Sequence, residues 1–497
     1  MAKPELIGWL IVILGIILRV RQYLENRSFW QDESSLAVNI VSRSFPGLAE
    51  PLGFHQAAPL GFLYIEKLLI ILFGNADYIL RLFPFVCGVL AVYLLHRIAL
   101  DYFGTVGLFA LLLFAVNSWQ VFYSSELKQF SSDVTVALLL VYLSTRCLRE
   151  EAQGRDFIWL GMAGIITIWI SHVSVFILPG IGMALVLEKY TRKKKIPFIW
   201  LLGLGAAWLT SFGIDYLVVL RHTAESKYFQ SLWMKAFLPL PPWSDIPWLL
   251  NVYDKYVLIV QTGTGAVMAY IILALALIGS LSLFARRSGL ALIIILPFIM
   301  TLTASALQKY PLSYRFMLFL VPLTLLLMAE GIGRIYLLVA GWQKHVALAL
   351  TVVLTAAMLF LPIKNAISGF RFPATITEIK PIMKFIEENK QPGDIIYLHY
   401  LSVPSFIYYA PFYHLDMENA IMGVDRQDPK KALDRFLTDV KDLQGNDRVW
   451  FVMAEQPYCG CEGDVNEYFK NYFDEHGSML DSVQSTNSVA YLYDLNP

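Results

Sequence analysis

Apolar runs of about 20 residues, long enough to cross a hydrocarbon core of roughly 30 Å as helices, recur from the N-terminus to about residue 363. The predicted spans are 6–22, 80–98, 104–122, 131–148, 156–170, 172–187, 197–218, 265–285, 289–306, 314–333 and 345–363. The first run, Leu6 to Leu18, is followed by "RVRQYLENR" with no small-residue cleavage site, so it reads as a retained helix rather than a signal peptide. "PLGFLYIEKLLIILF", Pro59 to Phe73, resists the pattern because it carries Glu66 and Lys67 and reaches only about 22 Å as a helix. It is expected to be interfacial or re-entrant. From Ser368 to Pro497 the texture changes to short apolar segments among charged and turn residues. There "ITEIKPIMKFIEEN", "KKALDRFLTDVKDL" and "VNEYFKNYFDEH" read as helices, alternating with the strands "IIYLHYL", "RVWFVMAE" and "SVAYLYDL". The expected fold is mainly α: a polytopic membrane domain over 1–363 with about 11–13 transmembrane helices, then a soluble α/β domain over 368–497.

Composition agrees with that pattern. Of 497 residues, 57% are hydrophobic and 16% charged, against roughly 25% charged in soluble proteins. Net charge is zero and no basic run is interleaved with aromatics, so nucleic acid is not an expected partner. The basic loops "STRCLREEAQGR", "EKYTRKKK" and "ARR" are placed in the cytoplasm. Alternation then puts five pieces on the outer face: the 23–57 loop, the 123–130 turn, Ser171-His172, the long 219–264 loop and the C-terminal domain. Arg19, Arg21 and Arg27 sit on the outer side against the charge rule, which snorkelling would explain. Cysteine adds little: Cys87 and Cys147 fall in or beside spans, and Cys459 and Cys461 form a lone "CGC" without the spacing of a zinc site.

The outer face collects the ionisable residues. Asp32 and Glu33 follow the first span in "SFWQDESSLAVNI", His55 lies in "GFHQAAPLGF", and Glu126 and Lys128 lie in "FYSSELKQFSSD" with Asp133 following. His172 and Arg315 complete the set. Such groups at membrane depth cost a few kcal/mol each unless they meet water, a partner or a substrate. Carboxylates there supply a base, while Lys128 with Arg315 can neutralise a phosphate at the lipid boundary. That combination suits a substrate with a phosphate head and a hydrocarbon tail. Each residue also has a plainer role: a helix cap for Asp32, a solvated turn for Glu126 and Lys128, a hairpin turn for His172 and a snorkelling anchor for Arg315. Glu126, His172 and Asp133 have metal-ligand chemistry but no metal-site spacing, so no cofactor is required and a divalent metal is optional.

Five stretches, "SFWQDE", "HQAAPLGFLYIEKLLIILFGNADYILRLFP", "FAVNSWQVFYSSELKQF", "SHVSVF" and "YRFMLFLVPLTLLLMAEGI", resemble in order and spacing the bacterial GT-C membrane glycosyltransferases. These are enzymes like the protein O-mannosyltransferases and the aminoarabinose and galacturonic acid transferases of lipid A; the likeness covers roughly residues 6–340. It implies transfer of a sugar from a polyprenyl-phosphate donor to a lipid, glycan or protein acceptor. The site would face outward from the bacterial cytoplasmic (inner) membrane, with the C-terminal domain on the same side. By the same resemblance Asp32 is the general base of an inverting displacement, Glu33 its acidic neighbour, and Glu126 an orienting carboxylate. His55, Lys128, His172 and Arg315 would contact substrate, with Arg315 on the carrier phosphate. Lys128 stands where many relatives have Arg, Phe130 where they often have Tyr, and the family's paired prolines are reduced to Pro59. Arg81 matches a family position but is left outside the catalytic set, because the topology does not fix it. Two other classes compete: a lipid or polysaccharide transporter, for which internal repeats would be expected, and a non-catalytic membrane assembly protein. The predicted sidedness is checked by cysteine labelling in intact spheroplasts. A cysteine introduced in the 219–264 loop should react with an impermeant thiol reagent and one near Lys194 should not; the reverse pattern would invert the topology.

Overall fold

A computed structural model of the chain describes residues 3–191, 197–263, 265–418, 420–423, 440–455 and 465–496. Each of the predicted spans falls on a helix or on two or three consecutive helical pieces. Among the described residues, seven helical stretches are long and apolar enough to cross a membrane, from Leu82–Val116 to Lys344–Arg371. Leu10, Ile13 and Ile17 on the first helix and Leu277, Leu281 and Phe284 on helix Ala266–Arg286 are exposed, as side chains that face lipid must be. The protein is a multi-pass membrane protein with a mostly helical body.

Helix Val321–Ala340 is the axis of that body, with every residue from Val321 to Ile332 buried. It crosses helix Ala266–Arg286 so closely that only glycine fits at the contact. A Cβ on Gly279 would stand 1.9 Å from the Leu327 carbonyl oxygen, and one on Gly331 would stand 2.2 Å from that of Leu275. Hydrocarbon gives no hydrophobic reward for helix association, so small residues that let two backbones touch are the available adhesive.

Three expectations are corrected. Arg19 does not snorkel: it is buried, and its guanidinium donates to the carbonyls of Gly15 at 3.0 Å and Ala115 at 3.3 Å, tying two helices together. Arg27 is equally buried, whereas Arg21 pairs with Glu25 near the surface. The 219–264 loop is largely helical; its longest piece, Ile246–Gln261, starts where Asp245 accepts a capping hydrogen bond from the Trp248 N–H at 2.9 Å. Helix Lys344–Arg371 runs past Ser368, so the membrane helices end later than the composition shift suggested. The segment Leu60–Phe73 is a 14-residue helix, short for a span as expected, abutting the end of helix Gly154–Ile170 where Gly61 approaches the Trp169 carbonyl.

The C-terminal part holds a five-stranded mixed sheet of β1 (Ile395–Leu398), β2 (Ala420–Met422), β3 (Val449–Ala454), β4 (Ser478–Ser485) and β5 (Ser488–Asp494). The spatial order is β2-β1-β3-β5-β4, with β1 parallel to β2 and β3, and β5 antiparallel to both of its neighbours. Alternation along β3 sorts its residues between two cores. Val449, Phe451 and Met453 pack with Phe469 and Phe473 of helix Val465–His476. Trp450, Val452 and Ala454 face a second core that continues into Phe29, Leu36 and Ile40 beside the first membrane helix. The predicted helix over "KKALDRFLTDVKDL" and the "CGC" pair lie largely or wholly outside the described residues. The C-terminal sheet is thus seated on the 23–57 segment by a shared apolar core, which fixes where that segment's acids point.

Gly279→Leu should lower the thermal midpoint of the detergent-solubilised protein by the equivalent of about 3 kcal/mol or more, because the clash is with backbone and cannot relax by a rotamer change. Gly203→Ala, where a Cβ meets nothing within 4 Å, should leave the midpoint unchanged or raise it.

Candidate active site

After the first helix the chain runs extended through Trp30 into helix Gln31–Ser42, so Asp32 and Glu33 sit in the first helical turn. Adjacent helical residues point about 100° apart. The two acids therefore meet different surroundings.

Glu33 is fully buried and fully engaged. Arg81 grips it with two hydrogen bonds, Nε to Oε1 at 2.9 Å and Nη2 to Oε2 at 2.6 Å, and the Leu127 N–H donates to Oε1 at 2.8 Å. Arg27 adds a second cation at 4.0 Å. Burial alone would raise the carboxyl, but Arg81 and Arg27 outweigh it and hold Glu33 below its ordinary range. Arg81 also donates to the carbonyls of Arg27 and Ser28. Glu33, which the sequence reading set with the catalytic residues, does not line the cavity that Asp32 enters, and Arg81, left outside that set, is its partner. The two form one anchor that fastens the Asp32 segment to the 123–130 turn.

Asp32 faces the other way, into a cavity of about 430 Å³. Its Oδ1 accepts from Lys128 Nζ at 3.0 Å, and its Oδ2 forms an ion pair with Arg315 Nη1 at 2.6 Å. Lys128 also donates to Gln56 Oε1 at 2.5 Å. The Arg315 guanidinium lies over the rings of Trp30 and Phe130 at 5.4 and 5.3 Å, which restricts it to this orientation. Burial would raise the Asp32 carboxyl, but Arg315 and Lys128 hold it well below the usual carboxylate range. Burial alone would make Asp32 a stronger base; two cations from distant segments reverse the sign.

Glu126 lies behind this arrangement rather than in the cavity. Its Oε1 accepts from the Trp30 indole at 3.1 Å, and its Oε2 is buried without a partner among the described residues. Burial, with the nearby Glu33 charge, pushes its carboxyl up to about 7 despite Arg315 and Arg27. His55 and His172 do line the cavity, together with Gln56 and Asp133. His55 stacks on Tyr228 with ring centroids 3.7 Å apart; Asp133 accepts from Ser171 Oγ at 2.6 Å; and His172 Nε2 has no partner among the described residues. The remaining wall is mostly apolar, including Phe176, Phe229, Trp233 and Phe316. Five of the seven sequence candidates, Asp32, His55, Lys128, His172 and Arg315, thus share one cavity, and Glu33 and Glu126 support it from behind. Among the described residues no three His, Cys, Asp or Glu side chains stand close enough together to hold a metal. Glu126, His172 and Asp133, the ligands considered from sequence, do not form a set.

The C-terminal domain closes over the same segment. Glu378 accepts from the Ser28 N–H and Oγ at 3.1 and 2.8 Å, and Tyr409 Oη accepts from the Phe29 N–H at 2.7 Å. Ser405 Oγ bonds Ser34 Oγ at 2.9 Å, and Glu455 accepts from the Gln31 N–H. Sequence reasoning missed all four, since no local motif signals a contact between segments this far apart.

The site is thus an aromatic-walled cavity in a helical membrane body, with a carboxylate between two cations. Residues 57–213 match the family model for dolichyl-phosphate-mannose-protein mannosyltransferase. No curated protein matches the chain by sequence. ArnT from Cupriavidus metallidurans, solved bound to undecaprenyl phosphate, is similar with a TM-score of 0.54 at 12% identity, over 98% of each chain. The archaeal oligosaccharyltransferase AglB from Archaeoglobus fulgidus, solved with an inhibitory peptide and a dolichol-phosphate, gives 0.52 at 12% identity over 97% of this chain and 74% of its own. At such identities the likeness is one of fold. That fold is the one shared by the GT-C membrane glycosyltransferases, as the sequence resemblance implied.

The raised Glu126 carboxyl makes stability pH-dependent with a defined sign. A group whose native value lies above its ordinary 4.5 binds more protons when folded, so its contribution is complete below about 4.5 and is lost as pH rises through about 7. Glu126→Gln, which keeps an acceptor for Trp30, should therefore leave the thermal midpoint unchanged at pH 5 and raise it at pH 8, by the equivalent of roughly 1–3 kcal/mol.

Proposed function

We propose that this protein transfers a sugar from a polyprenyl-phosphate donor to a lipid, glycan or protein acceptor at the outer face of a bacterial cytoplasmic membrane. The membrane body extends to Arg371 in this reading, and the C-terminal domain lies on the outer side. The observation that carries the proposal is the Asp32–Lys128–Arg315 cluster at one end of a largely apolar cavity. Support comes from the fold shared with ArnT and AglB, one solved with undecaprenyl phosphate and the other with a dolichol-phosphate.

The chemistry follows from the charges. The donor is a phosphodiester joining sugar and polyprenol. An acceptor oxygen attacks the anomeric carbon, the bond from that carbon to the phosphate oxygen breaks, and the polyprenyl phosphate leaves with one more negative charge than it carried as a diester. Direct displacement inverts the anomeric configuration. Lys128 and Arg315 face the leaving phosphate, so their attraction grows as the bond breaks and stabilises the transition state more than the bound donor. The acceptor proton passes to Asp32.

Asp32 is a poor base while both cations hold it. An entering phosphate competes for Lys128 and Arg315, and each contact that moves from carboxylate to phosphate returns proton affinity to Asp32. Donor binding thereby prepares the base. Without donor, the carboxylate keeps both cations paired inside an otherwise greasy cavity.

Asp32→Asn separates these roles, because asparagine fills the same volume but neither neutralises the cations nor takes the proton. The variant should bind undecaprenyl phosphate as tightly as the parent or more tightly, with transfer slowed at least about 100-fold. Binding is read on purified protein, and transfer by the lipid-linked glycan profile of cells carrying the variant. Near-normal transfer would reject Asp32 as the base, and an unchanged glycan profile in cells lacking the protein altogether would favour the transporter or assembly classes.

A further inference from the structure

We propose that Glu455 of the C-terminal domain is a positioning residue for Asp32, capping the helix that presents it and making that domain a working part of the active site. The inference rests on the assignment of Asp32 as the base.

Helix Gln31–Ser42 starts without a cap of its own. The residue at its N-cap is Trp30, whose side chain makes no capping hydrogen bond. The N–H groups of a first turn need acceptors, and most helices supply one from a Ser, Thr, Asp or Asn at that position. Here the acceptor comes from 424 residues along the chain: the Gln31 N–H donates to Glu455 Oε1. A carboxylate is the favoured group at a helix start, where the backbone dipoles present positive charge. Gln31 directly precedes Asp32, so whatever fixes its amide fixes the turn from which the Asp32 carboxylate projects.

Glu455 is delivered to this contact by an uncommon backbone. It follows the buried strand β3 with φ +70°, in the left-handed region where glycine or asparagine is usual, and its own N–H donates to the Asn487 carbonyl at 2.7 Å. Nothing about a glutamate favours that conformation. The turn carries the chain off the end of the sheet at the place where a side chain of this length reaches Gln31. The other contacts of the domain with this segment, through Glu378, Tyr409 and Ser405, hold Ser28, Phe29 and Ser34. They remain when Glu455 is changed, so loss of its carboxylate frees the first turn and leaves the domain seated. Asp32 must meet Lys128 at 3.0 Å and Arg315 at 2.6 Å from two other segments, and a misplacement of about 1 Å in such an arrangement can cost roughly 100-fold in rate.

The test compares Glu455→Gln, which keeps an acceptor at the same reach, with Glu455→Ala and the shorter Glu455→Asp, all in the full-length protein. Amide exchange of the peptide spanning residues 30–36 should quicken in the Ala and Asp variants and stay at the parent rate in the Gln variant. Undecaprenyl phosphate binding should be unchanged in all three. Glycan product in cells carrying the Ala or Asp variant should form about 10- to 100-fold more slowly, with the Gln variant restored to near the parent. Parent-like transfer by Glu455→Ala, or a Gln variant as slow as the Ala variant, would overturn the proposal. Asp32→Asn, run alongside, distinguishes the two failures: an inactive Asp32→Asn with an active Glu455→Ala removes the positioning role alone, whereas an active Asp32→Asn removes the base assignment on which it depends.

Discussion

The buried ion pair of Glu33 with Arg81 is the constraint on which the site is built. Two charges withdrawn from water incur a desolvation penalty of several kcal/mol each, offset only when nearly every hydrogen-bonding position is filled. Here the carboxylate takes Arg81 at both oxygens and the Leu127 amide, while the guanidinium also takes two carbonyls of the 27–28 segment. Three stretches of chain are joined at one point. Because Glu33 must face inward to satisfy this, its neighbour Asp32 is turned toward the cavity, and the acidic pair becomes one fixed carboxylate and one presented carboxylate.

That division explains how a lipid-embedded protein can keep cations ready for an anion without an open, hydrated pocket. Lys128 and Arg315 are both paired with Asp32 and braced by Gln56 and by aromatic faces. The resting cluster carries one negative and two positive charges, an imbalance that favours an incoming phosphate without leaving either cation unpaired. Under the proposed function the carboxylate and the donor phosphate compete for the same partners, so the site's affinity for one limits its grip on the other.

The helical body was legible in the sequence because each span announces itself within about 20 consecutive residues. The candidates Asp32, Lys128 and Arg315 were legible as charges that a membrane would not tolerate without purpose. Their pairing was not, because Asp32 meets its partners from segments that only the folded helices bring together. The Glu33–Arg81 pair spans 48 residues and joins the outer 23–57 loop to an arginine whose place the topology did not fix. Arg19 and Arg27 look like surface anchors until the carbonyls and aromatic rings that receive them are seen. In the C-terminal domain, β1, β3 and β5 had apolar runs to betray them. Strand β4, with its side chains largely exposed, had none, and the three apolar residues of β2 are too short a run to announce a strand.

The contact at Gly331 has a mechanical meaning. Helix Val321–Ala340 continues directly from the tight helical turn that bears Arg315, so the segment from Gly331 back to Arg315 is a stiff arm roughly 25 Å long. One end is pinned backbone to backbone against helix Ala266–Arg286, and the other carries the guanidinium that meets Asp32. A tilt of about 5° at the pinned end would swing the other end by about 2 Å over that length, more than an ion pair can follow. The crossing therefore acts as the fulcrum of a lever whose tip is in the candidate site, and the placement of Arg315 depends in part on a backbone contact made about five helical turns away.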